Sequence, residues 1–328
     1  MSEQVIYFGA PGTGKSHYVK QHLSDIGVKE HKIFRVTIHP EFMYSDFVGQ
    51  LLPVKTETGD VKFEFVSGPL TRALKEAFSD FNEPVYLVLE ELSRGNVSAI
   101  LGDTFQLLDR DHQFKSAYPI RNKNIADQIV ELIDDTIYFP SNFNIICTVN
   151  LNDQSVFPMD TAFKRRFDWR YVSTLPATDE AGDVLTKLNN PKIFVPTNND
   201  RASDIETNWH ALYVSLNEFI SDRTNGLGRK EDKQLGQFFI DFPKALVEAS
   251  HTDAAATRER VMSILRNKLL LYLWNDVQGS STFNNSKSLF HRDIVSYEKL
   301  YATFGEKQIF DDVFINEFLV PNVSKYSY

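Results

Sequence analysis

The sequence predicts an α/β protein, a parallel sheet covered by helices on both faces in three layers, followed by a smaller helical domain. Three observations predict it. Val85–Leu89 is apolar throughout and Asn144–Val149 reads as a second buried strand, the pattern of strands with no solvent face. Val5–Phe8 is a shorter apolar run that leads directly into a glycine-rich turn, so strand gives way to helix early in the chain. From Trp209 to about Val277 the pattern is helical, with stretches such as WHALYVSLNEFISDR and RERVMSILRNKLLLYLW.

In chain order, the glycine-rich turn is followed by helical spacing over His17–Leu23 and by an alternating strand candidate, Lys32–Ile38. Pro53–Val66 holds two alternating stretches around Thr58-Gly59-Asp60 and reads as a β-hairpin. Pro69–Phe81 is an amphipathic helix, and Val97–Asp109 has helical period again. Residues 1–176 are therefore expected to form the αβα domain. Residues 177–206, polar and rich in Asn, Asp and Thr, read as a linker or mobile insertion, and 207–277 as the helical domain. Residues 278–328 are Ser- and Asn-rich, then aromatic, an extension to which the sequence assigns no role.

Composition excludes several functions. The chain has 328 residues, 42% of them hydrophobic, enough for one large and one smaller core. No run approaches the roughly 18–20 apolar residues of a membrane span, and MSEQVIYFGA lacks the basic-then-apolar order of a signal peptide. Cys147 is the single cysteine, which rules out an internal disulfide framework and points to a cytoplasmic location. A net charge of −9 argues against a free-standing DNA-binding domain, whose affinity rests on neutralising phosphates. DNA contact would have to come from a local patch, a ring pore or another subunit.

Four motifs carry the chemistry. Gly9-Ala10-Pro11-Gly12-Thr13-Gly14-Lys15-Ser16 fits G-x-x-x-x-G-K-[ST], after an apolar strand and before a helix. Its glycines allow backbone N–H groups to converge on an anion, Lys15 would reach the β- and γ-phosphates, and Ser16 would ligate Mg²⁺. A strand then ends in Glu90-Glu91, the first carboxylate suited to the Mg²⁺ shell and the second to activating water. Asn150 follows a third buried strand, which in such a sheet lies beside the first and presents an amide to the γ-phosphate. Finally Lys164-Arg165-Arg166 places cations just past that strand, where Arg165 or Arg166 could serve a neighbouring subunit's nucleotide. Arg94 is a second interface candidate.

These elements, in this order, resemble the AAA+ superfamily, and more narrowly the motor subunit of the McrBC restriction system. Thr37–Val48 is similar to that family's histidine–aromatic–acidic–Phe stretch, and Glu90-Glu91-Leu92-Ser93-Arg94-Gly95-Asn96 to its Asp-Glu-Ile-Asn-Arg-Gly-Asn segment. Val149-Asn150-Leu151-Asn152-Asp153-Gln154-Ser155 resembles its Met-Asn-Thr-Ala-Asp-Arg-Ser signature, with Gln154 in place of the arginine. Leu235-Gly236-Gln237-Phe238-Phe239 resembles its Ile-Gly-His-Ser-Tyr-Phe lid motif without the histidine. Glu90 stands where the family has Asp.

The resemblance implies an AAA+ domain with a helical lid, a GTP-preferring hexameric ring and stimulation by a separate nuclease-bearing subunit. The sequence shows no counterpart of the modified-DNA reader that restriction members carry at their N-terminus. Asp153 is a further candidate for nucleotide contact, since Asn150 and Asp153 resemble a guanine-reading Asn-Lys-x-Asp motif. An Asn150 at the γ-phosphate lies far from the base, however, so ATP and GTP both stay open. The leading expectation is a ring nucleoside triphosphatase of a DNA-processing, restriction or defence complex. The alternatives are a MoxR-like protein-remodelling ATPase and a nucleotide-dependent scaffold with weak hydrolysis.

Overall fold

A strand packed on both faces has no solvent side to alternate with, and the two most apolar runs behave accordingly. The computed structural model describes residues 2–55, 59–150, 157–197, 204–252, 255–279 and 287–326. In it Val85–Leu89 and all of Phe143–Val149 are buried. The strands, in chain order, are β1 (Gln4–Phe8), β2 (Ile33–Thr37), β3 (Gly49–Lys55), β4 (Val61–Ser67), β5 (Val85–Glu90), β6 (Ile120–Arg121), β7 (Thr136–Ile137), β8 (Phe143–Val149), β9 (Asp168–Tyr171), β10 (Lys192–Val195) and β11 (Ile205–Asn208). By contact the chain divides into two units, Met1–Phe8 with Lys15–Tyr171, and Gly9–Gly14 with Val172–Tyr328.

The first unit is built on a five-stranded sheet in the order β2-β5-β8-β1-β9. Every pairing in it is parallel, with Gln4 opposite Ile145 and Val85 opposite Phe143. Ile6, Leu87, Leu89, Ile145, Cys147 and Val149 turn one face of the sheet into a single apolar core. The helix Pro69–Ser79 covers that core with Leu70, Ala73, Leu74, Ala77 and Phe78, the i, i+3, i+4 stripe expected of it. One buried and one partly buried polar side chain lock the strand starts. Asn144 accepts from the Glu3 N–H at 2.7 Å and donates to the Val85 carbonyl at 3.1 Å. Arg110 donates to the carbonyls of Phe114, Phe139, Pro140 and Phe143 and to Gln4 Oε1, and burial lowers its guanidinium to about 9. The expected hairpin is present as β3 and β4, paired from Gly49↔Ser67 to Lys55↔Val61.

Three readings of local structure change. The helical period of Val97–Asp109 is interrupted: the α-helix stops at Leu101, and Gly102–Leu108 continues as 3-10 turns. Gly102 sits at φ +50°, and a Cβ there would lie 2.8 Å from the Tyr44 ring, so the close ring contact requires glycine. Residues 209–277 are not helical throughout. The helix Trp209–Ser221 ends where Asp222 Oδ1 takes the N–H groups of Thr224, Asn225 and Gly226, and helix resumes only with Lys244–Ser250 after Pro243. Within the polar stretch 177–206, β10 pairs antiparallel with β11. Asn189 and Asn190 there are structural: Asn189 Nδ2 donates to the Gln237 and Ile240 carbonyls, and Asn190 Oδ1 accepts from the His210 N–H.

In the second unit Trp209, Tyr213, Leu216 and Phe219 join a core that also contains Leu300, Phe304, Phe310, Phe314 and Phe318. The aromatic tail is thus part of that core. No helix among the described residues is long and apolar enough to cross a membrane.

Candidate active site

All strands of a parallel sheet end at the same edge, which is where such sheets gather ligands. In the first unit that edge carries Glu90, the last residue of β5, in register with Thr37 of β2. Val85, Leu87 and Leu89 face the core, so alternation turns Glu90 to the opposite face, where its Oε1 accepts from Arg35 Nη1 at 3.2 Å.

Glu91 leaves the strand in a left-handed conformation, φ 55° and ψ 39°, which a side chain with a Cβ rarely adopts. Its backbone N–H donates to Thr148 Oγ1 at 3.1 Å. Asn150 Nδ2 donates to both Glu91 carboxylate oxygens, at 3.0 and 2.9 Å, and Arg94 Nε reaches Oε2 at 3.2 Å. Ser93 Oγ in turn donates to the Asn150 carbonyl at 3.2 Å. Asn150 Oδ1 is buried and has no hydrogen-bond partner among the described residues, which leaves an acceptor available at this site. Lys15 is only 7% exposed. Burial pushes its amine down to about 8, with the Glu91 charge pulling the other way. The β5 and β8 ends and the first residue of the helix Lys15–Asp25 therefore share one electrostatic neighbourhood.

The glycine-rich turn itself, Gly9–Gly14, groups with the second unit. Gly12 and Gly14 have φ of +77° and +83°, and Thr13 Oγ1 donates to the Ala10 carbonyl at 3.1 Å. Gly236–Phe239 lies against the turn: the Gly236 N–H donates to the Pro11 carbonyl at 2.9 Å and the Phe238 N–H to the Gly12 carbonyl at 2.7 Å.

The remaining candidates separate. Ser16 is exposed in the first turn of its helix. Arg166 is committed within the first unit: it pairs with Asp109 through Nε at 3.0 Å and Nη2 at 2.5 Å, and stacks 4.5 Å from the Phe105 ring centroid. Arg165 is exposed, and its side chain makes no hydrogen bond or ion pair among the described residues. Asp153 lies outside the described residues. Sequence reasoning missed Thr148 and Ser93, which look like ordinary strand and turn residues. It also missed that Arg94 pairs with Glu91, although the i, i+3 spacing held that signal.

A metal would find one hydroxyl in Ser16 and one carboxylate in Glu90, the two donors expected from the sequence. No cluster of three or more His, Cys, Asp or Glu that could hold an ion occurs among the described residues. So few donors would suit Mg²⁺, which keeps water and phosphate oxygens as most of its ligands.

Residues 4–167 match the AAA domain family, dynein-related subfamily. The chain is 31% identical over 304 residues to the type II restriction enzyme BsuMI component YdiS of Bacillus subtilis strain 168, covering 83% of this chain and 78% of that one. It is 24% identical over 288 residues to the type IV methyl-directed restriction enzyme EcoKMcrB subunit of Escherichia coli K12, covering 87% of this chain and 57% of that protein's length.

Proposed function

The chain belongs to the AAA family, dynein-related subfamily, and is McrB-like; from that premise we propose that it is a cytoplasmic, ring-forming motor that hydrolyses ATP or GTP for a restriction or defence complex whose nuclease or other effector is a separate chain. Members of the family are nucleoside triphosphate hydrolases, and the two relatives carry restriction in their names.

The observation that carries the hydrolytic reading is the Asn150 amide holding both oxygens of Glu91 at the end of β5, with Lys15 close enough for charge to be felt. In this reading the Gly12–Lys15 backbone and the Lys15 ammonium hold the β- and γ-phosphates. Glu91 takes the proton of the attacking water, and Asn150 fixes the carboxylate while its spare Oδ1 accepts from that water. Ser16 and Glu90 would hold Mg²⁺, which neutralises charge between the β- and γ-phosphate oxygens when bound. Arg165, exposed and uncommitted, suits a neighbouring subunit's nucleotide better than Arg166, which Asp109 and Phe105 already hold.

Phosphate release from ATP and from GTP, each with and without DNA, tests the activity, and mass photometry with a slowly hydrolysed analogue tests the ring. The expected results are turnover with at least one nucleotide and nucleotide-promoted oligomers, probed up to a hexamer. No release from either nucleotide, or a monomer at every concentration, overturns the corresponding half of the proposal.

A further inference from the structure

We propose that Gly236–Phe239 is a strap that aims the phosphate-binding turn, and that Gln237 is the positioning residue that anchors the strap. The inference rests on the reading of Gly9–Ser16 as a nucleotide site and adds what orients it.

All peptides among the described residues are trans, so the carbonyl of one residue and the N–H of the next point in opposite directions. The Pro11 carbonyl accepts from Gly236, which turns the Gly12 N–H away from the strap. The Gly12 carbonyl accepts from Phe238, which turns the Thr13 N–H away in the same sense. Neither the Gly12 nor the Thr13 N–H donates within the protein among the described residues. Two consecutive donors on one side, next to a glycine at φ +77°, form an anion nest, and the strap holds its back.

The approach is too close for side chains. A Cβ on Gly236 would collide with the Thr13 nitrogen and the Gly12 carbonyl, and a Cβ on Gly12 would collide with the Phe239 backbone. Gly12 is thus doubly required, by its dihedral and by the strap.

Gln237 makes no hydrogen bond to the turn among the described residues. It is 3% exposed. Its Oε1 accepts from the Ala177 N–H at 2.7 Å and its Nε2 donates to the Leu188 carbonyl at 2.5 Å. Its own carbonyl accepts from Asn189 Nδ2 and Trp209 Nε1, both at 2.8 Å. Phe239 packs on Tyr272 with ring centroids 4.7 Å apart. The strap's course is therefore set by the 177–189 segment together with Trp209 and Tyr272, and the nest inherits its orientation from there.

The test measures affinity of the full chain for fluorescent ATP and GTP analogues. Gly236→Ala is expected to weaken binding about tenfold or more, because displaced carbonyls release both nest donors. Gln237→Glu retains the acceptor for Ala177 but sets a carboxylate against the Leu188 carbonyl. It is expected to bind weakly at neutral pH and to recover toward wild type as the pH falls and its acid O–H replaces the amide donor. A merely structural lesion would not recover affinity in that way. Wild-type affinity in both variants overturns the proposal. Should either variant not fold, hydrogen exchange on the wild-type chain decides: the Gly236 and Phe238 amides exchange slowly if the strap holds the turn, and rapid exchange at both overturns it. A wild type that binds neither nucleotide removes the reading of Gly9–Ser16 as a nucleotide site, while the exchange result still judges the strap.

Discussion

The β5–β8 edge of the first unit and the turn-and-strap of the second both hold polar groups in fixed places, with opposite means. At the edge, side-chain atoms do the holding: the Asn150 amide, the Thr148 hydroxyl and the Arg94 guanidinium all converge on Glu91. At the turn, main-chain atoms do it, Gly236 and Phe238 N–H groups on the Pro11 and Gly12 carbonyls, and side chains are excluded. The difference teaches where mutation can separate functions. Side-chain chemistry can be removed with little change of shape, whereas a main-chain device yields only to changes in its glycines or its anchor.

The largest effects should divide along that line. Lys15→Ala is expected to abolish nucleotide binding, because the phosphate charge is left uncompensated. Glu91→Gln is expected to bind nucleotide and trap assembled rings while single-turnover hydrolysis falls by up to about 10⁴-fold, the upper range for a general base. Wild-type turnover in Glu91→Gln would remove Glu91 from the role of base, and with it the contrast drawn here.

Next in size, the two adjacent arginines sharpen the side-chain half of the comparison. Arg165→Ala is expected to spare binding and lower turnover about 10³-fold, as for an arginine supplied to a neighbour. Arg166→Ala should instead lower the melting temperature, through loss of the Asp109 pair and the Phe105 stack. Mixing each variant with hydrolysis-dead subunits checks the assignment: a defect confined to the mutated subunit's own site counts against action in trans.

The smallest expected effect is a pH dependence of binding. With its amine lowered to about 8, Lys15 loses its charge in the nucleotide-free protein as pH rises through that value. Binding must then take up a proton, so affinity should fall above pH 8 by at most about tenfold per unit. The sign for stability is the reverse. The unfolded chain keeps its proton to a higher pH, so the penalty for burying Lys15 is fully present below about 8 and is relieved as pH rises from there toward the ordinary lysine value of 10.5. Titration calorimetry in buffers of different ionisation enthalpy reads the proton uptake. A flat profile from pH 7 to 9.5 would show that Lys15 stays charged throughout.

Much of this was legible in the sequence, and what was not has physical reasons. The buried strands announced themselves because a strand without a solvent face must be apolar, and Gly9–Ser16 did so because its glycines and lysine are fixed by chemistry. Glu91 and Asn150 followed from their places at strand ends, and the structure brings them together. Periodicity could not find the end of the helix at Leu101, since that depends on the Tyr44 ring packed over Gly102. Nor could it see that Asn189 and Asn190, polar in composition, work as internal hydrogen-bonding posts. The strap was visible only as a glycine within a family-like motif, because a main-chain contact leaves no side-chain signature beyond the absence of one.

Glu91 carries a consequence for selection. A residue with a Cβ held at φ 55° costs on the order of 1 kcal/mol relative to glycine, and the Thr148 hydroxyl that receives its N–H helps to maintain that conformation. Laboratory evolution that rewarded heat resistance alone would drift toward glycine or asparagine at this position, relieving the strain and discarding the carboxylate. If Glu91 is the base, durability and turnover are opposed at a single backbone dihedral, and a library screened without an activity gate would keep the sturdier protein and lose the engine.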